Sequence, residues 1–229
     1  MTNKIVVAVP KVLRPLPPKL DQYLGKTKFK VIVTENIEQA VARTRLVTQM
    51  LNEGFEALAF IDSDMSPNID MDKMFEKFYN VELPVISALT STRGRQHQLL
   101  LFKKNPNISY PLQDELLFTE DSIINVYAIG FGACLIRKEV FNKIDLPWFK
   151  TGWTYTIPET REIRHVGGNG MGADFWFSMQ CLAAKVPLYL DCGSLVHHME
   201  MEPSSSYYKQ EFPWEETLIR IRGEVMKNG

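Results

Sequence analysis

Over the first 90 positions, short apolar runs bounded by turn residues alternate with stretches whose apolar side chains recur every three or four residues. Residues 5–9 and 29–33 are β-branched and apolar, as buried strands are, and a proline-rich connection over 10–18 separates them. Between 37 and 51, Ile37, Ala40, Val41, Val47, Met50 and Leu51 fall at helical spacing until Gly54 ends the pattern. A strand at 58–61, a helix at 67–79 and a strand at 85–89 continue the alternation. This order predicts an α/β fold with a mainly parallel central sheet flanked by helices on both faces. Ligands of such sheets sit at the carboxyl ends of the strands, where Pro10, Thr34, Asp62, Asp64 and Thr90 fall.

The second half is less regular. Residues 99–102 and 124–128 read as strands, 137–144 as a short helix, and 174–185 as a longer helix leading into a strand at 188–190. The intervening stretch, 148–172, is rich in Gly, Trp, Thr and Tyr and reads as a binding loop region. A polar tail over 200–208 precedes a final helix at 214–226. No internal repeat is visible.

Composition narrows the class only a little. At 229 residues, 45% hydrophobic and 23% charged, the chain is an ordinary globular composition that one domain accommodates. A formal net charge of −1 gives no general attraction to nucleic acid or to an anionic membrane, so no nucleic-acid partner is expected. Cys134, Cys181 and Cys192 are odd in number and lack C-x-x-C spacing, which points to reduced thiols and a cytoplasmic setting. The most apolar run, 123–136, is broken by Asn125 and two glycines and is shorter than the roughly 20 residues that span a bilayer. Peripheral membrane contact remains open, and oligomeric state is not legible.

The chemistry concentrates at residues 57–64, an apolar run that stops on Asp62 and Asp64. In an extended backbone, side chains two apart project to the same side, so both carboxylates can converge on one cation. A plainer reading stands beside it: Ser66 and Pro67 make a good helix start, and acidic residues favour the positive end of a helix dipole. An EF-hand loop is excluded, because its glycine position falls on Pro67 and its closing glutamate position on Lys73. Gly25-Lys26-Thr27 lacks the first glycine and preceding strand of a P-loop, and the glycines at 167, 168, 170 and 172 lack the context of a dinucleotide fingerprint. Neither a G-x-S-x-G elbow nor an H-E-x-x-H pair occurs.

Three segments taken together resemble glycosyltransferases of the GT-A type, in particular the family 2-like group. Phe60-Ile61-Asp62-Ser63-Asp64 is similar to the D-x-D motif that holds a divalent metal against a nucleotide-sugar diphosphate. The stretch 128–141, Ala-Ile-Gly-Phe-Gly-Ala-Cys-Leu-Ile-Arg-Lys-Glu-Val-Phe, is similar to the family's glycine loop, strand and helix beside the acceptor. In the third, Gly172, Ala173, Asp174, Phe175, Trp176 and Phe177 open a helix, Asp191 ends a strand, and Val196-His197-His198 closes the segment. Ala173 stands where the family has Glu, and Trp176 where it has a second Asp, so acceptor choice is in doubt. A weaker match is Ala42-Arg43-Thr44-Arg45-Leu46-Val47, which resembles an Ala-Arg-Asn-x-Leu-Val helix near the nucleotide pocket.

The resemblance implies a single catalytic domain over 1–199, its first 90 residues binding nucleotide and 91–199 the acceptor, with 200–229 forming a lid segment and helix. It implies a metal-dependent, inverting transfer of a sugar from a nucleoside-diphosphate sugar to a hydroxyl of a glycan, lipid or protein. Asp62, Asp64 and His198 are then the ligands of Mn2+ or Mg2+, Asp64 the more direct of the two carboxylates. Asp174 falls at the general base, with a helix N-cap as its plainer reading; His198 is otherwise a hydrogen-bonded structural histidine. Pro10, Glu35, Arg43, Asp62, Ser63 and Arg93 are expected along the nucleotide sugar, the arginines as forks on diphosphate oxygens or else as solvated charges. Gly132, Trp153 and Tyr155 are expected at the acceptor, where Trp148, Trp153 and Tyr155 offer flat faces for a sugar. Two rivals stand: a nucleotidyltransferase, whose glycine- and lysine-rich first loop is missing here, and a sugar- or nucleotide-binding module without turnover.

Overall fold

The computed structural model describes residues 4–11, 15–90, 122–151, 153–156, 163–166, 172–201 and 208–211, with the backbone alone described at 153–156, 163–166, 200–201 and 208–211. The first half runs β1 (Ile5–Lys11), α1 (Pro18–Leu24), β2 (Lys30–Glu35), α2 (Gln39–Asn52), β3 (Ala57–Ile61), β4 (Met65–Ser66), α3 (Met71–Asn80) and β5 (Val85–Leu89). The second runs β6 (Ile123–Val126), β7 (Ala133–Arg137), α4 (Lys138–Lys143), β8 (Trp153–Thr156), β9 (Ile163–Val166), α5 (Gly172–Ala183), β10 (Leu188–Leu195), β11 (His197–Met201) and β12 (Tyr208–Glu211).

A seven-stranded sheet in the order β2-β1-β3-β7-β5-β10-β6 forms the middle layer. Strands β2, β1, β3, β5 and β10 run one way, and β7 and β6 run against them. The sheet is therefore mostly parallel, as the alternation of elements predicts. Its inner strands β1, β3, β7 and β5 are mainly apolar and buried because both faces are covered there. Along β1, Val6 and Ala8 join one core while Ile5, Val7 and Val9 join the other; along β3, Leu58 and Phe60 part in the same way from Ala57, Ala59 and Ile61. The first core is filled by Leu46, Val47 and Met50 of α2, Val140 and Phe141 of α4, and Phe177 and Cys181 of α5. The second takes Leu20 of α1 and Met71, Met74, Phe75 and Phe78 of α3. Each such side chain contributes about 1.5–3 kcal/mol on burial.

After β1 the chain crosses to β2 on one side, and after β2 it crosses back over β1 to β3 on the other. The strand order thus reverses between β1 and β3, opening a crevice beyond their carboxyl ends. Pro10, the next-to-last residue of β1, stands at that edge, paired with Thr34 in β2.

Several elements differ from the sequence expectation. The helix expected over 67–79 begins at Met71, where the Asp70 side chain accepts from the Lys73 backbone N–H at 3.1 Å. Ser66 cannot cap it, because Met65 and Ser66 form β4 and pair antiparallel with His198 and His197 of β11. The helix expected from 174 starts at Gly172, so Asp174 lies inside its first turn and is not its N-cap. Residues 148–172, expected as a binding loop region, include two strands, β8 and β9, that pair antiparallel. β10 continues past 190 through an irregularity between Asp191 and Leu195, and β12 pairs with β11 in what reads from sequence as a polar tail. The expected strand at 99–102, the final helix at 214–226 and most of the expected lid lie outside the described residues. No helix among the described residues is long and apolar enough to cross a membrane. The cysteines are free thiols, Cys134 and Cys181 buried and Cys192 half-buried.

Candidate active site

The site begins at the end of β3. Asp62 follows that strand directly, and its backbone N–H donates to the Gly132 carbonyl at 3.1 Å. Because β7 runs against β3, the turn before β7 arrives at the same edge as Asp62. Gly132 permits this approach, since a Cβ there would meet Thr90 Cγ2 at 2.7 Å and Met65 Cε at 3.0 Å. The side of Gly132 on which a side chain would project is filled by protein.

Arg43 joins the parts. α2 is capped by Glu38, whose Oε2 accepts from the Val41 N–H at 3.0 Å while its Oε1 accepts from Thr151 Oγ1 at 2.9 Å. The inward stripe of this helix is Ala40, Arg43, Leu46, Val47 and Met50, whereas Val41, assigned inward by the apolar pattern, is 44% exposed. Arg43 is fully buried. One terminal nitrogen donates to Asp62 Oδ1 at 2.7 Å and the other to Asp174 Oδ1 at 2.6 Å. The guanidinium lies 4.6 Å from the centroid of the Phe131 ring, a desolvated cation–π contact.

Asp174 is held from two more directions. Its Oδ2 accepts from the Phe131 backbone N–H at 3.2 Å, and its carbonyl accepts from Ser178 Oγ at 2.8 Å. Ser178 Oγ in turn accepts from the Ile129 N–H at 3.3 Å, tying the turn before β7 to α5. Phe131 is fixed by neighbouring rings, with Phe60 at 5.6 Å, Phe149 at 5.7 Å and Phe177 at 5.3 Å between centroids. Burial pushes the Asp174 carboxyl up, the Arg43 charge pulls it down and the Asp62 charge raises it again, leaving it at about 6. With 18% of its side chain exposed, Asp174 still reaches the cleft. For Arg43, burial opposes the charge, but Asp174 and Asp62 outweigh it, so the guanidinium stays protonated.

Asp64 and His198 stand beside a different pairing, that of β4 with β11. The Met199 N–H donates to the Asp64 carbonyl at 2.9 Å, and His198 stands opposite Met65. Both Asp64 and His198 are buried at this junction. His197, which alternates with it along β11, has Nε2 3.1 Å from Asn68 Nδ2. A carboxylate oxygen and an imidazole nitrogen suit a first-row divalent ion. Among the described residues, no group of three or more His, Cys, Asp or Glu side chains forms a ready-made metal cluster.

The other expected site residues fall as follows. Pro10 is buried at the end of β1, and Ser63 is half-buried between the two aspartates. Glu35 ends β2 and accepts from Lys11 Nζ at 2.8 Å. Trp153 and Tyr155 belong to β8, of which the backbone alone is described, and Arg93 lies outside the described residues. Trp148 packs edge-on against Phe141 at 5.4 Å, covering the core margin. Sequence reasoning misses Phe131 as the floor under Arg43. The available signal is the Gly130-Phe131-Gly132 triplet, an aromatic residue between two glycines.

No family model matches the chain, and no curated protein does. Solved structures do. The crystal structure of A197 from STIV overlays with a TM-score of 0.60 at 17% identity, covering 86% of each chain. The two share a fold. Looser overlays include a glycosyltransferase involved in the glycosylation of the major capsid of PBCV-1, with a TM-score of 0.32 at 14% identity over 63% of this chain and 68% of that one. Another is a CMP:2-keto-3-deoxy-manno-octonic acid synthetase complexed with CTP, with a TM-score of 0.39 at 13% identity over 99% and 100%. Overlays that loose carry no argument about this chain.

Proposed function

We propose that the protein is a metal-dependent glycosyltransferase of GT-A type that moves a sugar from a nucleoside-diphosphate sugar to a hydroxyl acceptor with inversion. One observation carries the reading: Asp62 and Asp174, 112 positions apart in sequence, converge on Arg43 at the carboxyl edge of a mostly parallel sheet. The β4–β11 pairing beside them, which puts Asp64 and His198 on neighbouring backbones, supports a cation site at the same edge.

In this reading Asp64 and His198 hold Mn2+ or Mg2+, and when bound the cation supplies neutralisation of charge on the departing diphosphate. Pro10, Glu35, Ser63 and Asp62 line the nucleotide sugar, with Arg93 added from the segment after β5. Gly132 is assigned to the acceptor side, with Trp153 and Tyr155 as the aromatic candidates there. The acceptor oxygen bonds to the anomeric carbon as the bond from that carbon to the diphosphate oxygen breaks, and the electron pair leaves with the diphosphate. Asp174 accepts the hydroxyl proton, which a carboxylate at about 6 does at neutral pH. Both of its oxygens already accept one hydrogen bond each, and each retains a further lone pair.

The test is a panel of nucleotide sugars with Mn2+, read by release of nucleoside diphosphate. Turnover of at least one donor is expected. Asp64→Ala should abolish it, and Asp174→Asn should lower kcat by about 100-fold or more. Pyrophosphate release from a nucleoside triphosphate would favour a nucleotidyltransferase instead, and binding without turnover a non-catalytic module.

A further inference from the structure

We infer that Arg43 is a positioning residue: it locks Asp62 and Asp174 into one charged unit and so fixes the proton-accepting group relative to the donor side. The roles of the two carboxylates rest on the function proposed above; their coupling through Arg43 does not. From sequence, Arg43 reads as a fork for diphosphate oxygens. Its placement favours a different task, because each terminal nitrogen donates to a carboxylate, at 2.6 and 2.7 Å, and the side chain has no exposed surface. A phosphate would have to enter a guanidinium site that is fully buried and covered on one face by the Phe131 ring.

Arg43 is the side chain that bonds three elements directly to one another at this point. Arg43 comes from α2, Asp62 from the end of β3 and Asp174 from the first turn of α5. The Phe131 N–H on Asp174 and the Phe131 ring beneath the guanidinium make the turn before β7 a fourth member. Losing the guanidinium frees Asp174 from α2 while leaving it attached to the turn.

Charge accounting gives the inference a sign that simple packing lacks. One buried cation serves two carboxylates, so the unit carries a net charge of about −1. Neutralising either carboxylate leaves a balanced pair. Neutralising both leaves a buried guanidinium with no counter-charge, the costly case. Asp62 and Asp174 should therefore be coupled in stability through Arg43.

Thermal unfolding of the wild type, D62N, D174N and D62N/D174N reads this directly. The double variant should lose at least about 4 °C more in Tm than the two single losses together. In an R43M background the sign reverses, and R43M/D62N/D174N should melt above R43M, since no cation remains for the carboxylates to serve. Additive losses with Arg43 present would overturn the inference, and those four proteins decide it even if R43M does not fold. With any nucleotide sugar that the wild type turns over with Mn2+, R43K should keep the donor KM within about 3-fold while kcat falls about 100-fold, and should retain more kcat than R43M. A raised donor KM with unchanged kcat would assign Arg43 to phosphate binding and overturn the positioning role. A wild type that turns over no donor would sink the proposed function alone, leaving the unfolding cycle to decide the coupling.

Discussion

At the scale of single residues, the decisive groups are those whose chemistry and burial disagree. Asp174 is an acid in a place that disfavours its charge, and its carboxyl sits near 6 instead of the ordinary 3.8. The native state therefore binds a proton that the unfolded chain has already released between those values. This contribution to stability is present below about pH 4 and is lost as pH rises to about 6; Asp174→Asn should flatten that part of a stability–pH profile measured by urea unfolding. The same ionisation sets activity with the opposite sense, so turnover should rise with pH around a midpoint near 6. Gly132 supplies a second test. Gly132→Ala places a Cβ 2.7 Å from Thr90 Cγ2 and should cost about 1–3 kcal/mol by urea denaturation. Thr90→Ser, which deletes that methyl, should recover part of the loss. Asp62 and Asp64 are legible in the sequence because an apolar strand stops on them. The partner of Asp62 is not, since Arg43 becomes inward-facing only once α2, β3 and α5 have packed. Its spacing with Ala40, Val47 and Met50 is the trace left in the sequence, masked there by its charge.

At the scale of elements, local chemistry locates most helices and strands but not their ends. β1, β3 and β5 are legible because strands buried on both faces are apolar without interruption. The start of α3 is misread because Ser66-Pro67 has the local form of a helix start, while pairing with β11, more than 130 positions away, takes Ser66 into a strand. Asp70 is the cap in fact, and its carboxyl is held below the usual range by the Lys73 backbone N–H and then by the Lys73 side chain. Asp70→Ala should lower the urea midpoint with an unchanged m-value, because the native helix loses a cap without changing the surface exposed on unfolding. Strand β11 itself is hard to read, since its residues pair with β4 and β12 outside the main sheet. That pairing nonetheless sets the His198 backbone opposite Met65, next to Asp64 in sequence.

At the scale of the whole molecule, alternation of elements gives the class of fold, and the strand order gives the place of the site. The reversal between β1 and β3 opens its crevice where Pro10 and Asp62 stand, and β7, inserted antiparallel between β3 and β5, delivers Phe131 and Gly132 to the same edge. The apolar run 123–136 carries β6 and all but the last residue of β7, and its pattern alone does not separate them. The resemblance of 128–141 to a glycine loop, strand and helix does predict β7. The likeness to A197 over 86% of each chain is a likeness of this same architecture at 17% identity. Two groups then share one edge of the sheet: Asp62, Arg43 and Asp174 joined by ion pairs in the cleft wall, and Asp64 and His198 on neighbouring backbones at the β4–β11 junction. The central claim is that the second of these seats a divalent cation beside a nucleoside diphosphate. Manganese anomalous diffraction from crystals soaked with Mn2+ and uridine diphosphate measures it. The account predicts one strong peak bonded to Asp64 and His198, with diphosphate oxygens completing its shell. A peak elsewhere on the protein, or none at that junction with the nucleotide bound, would contradict it.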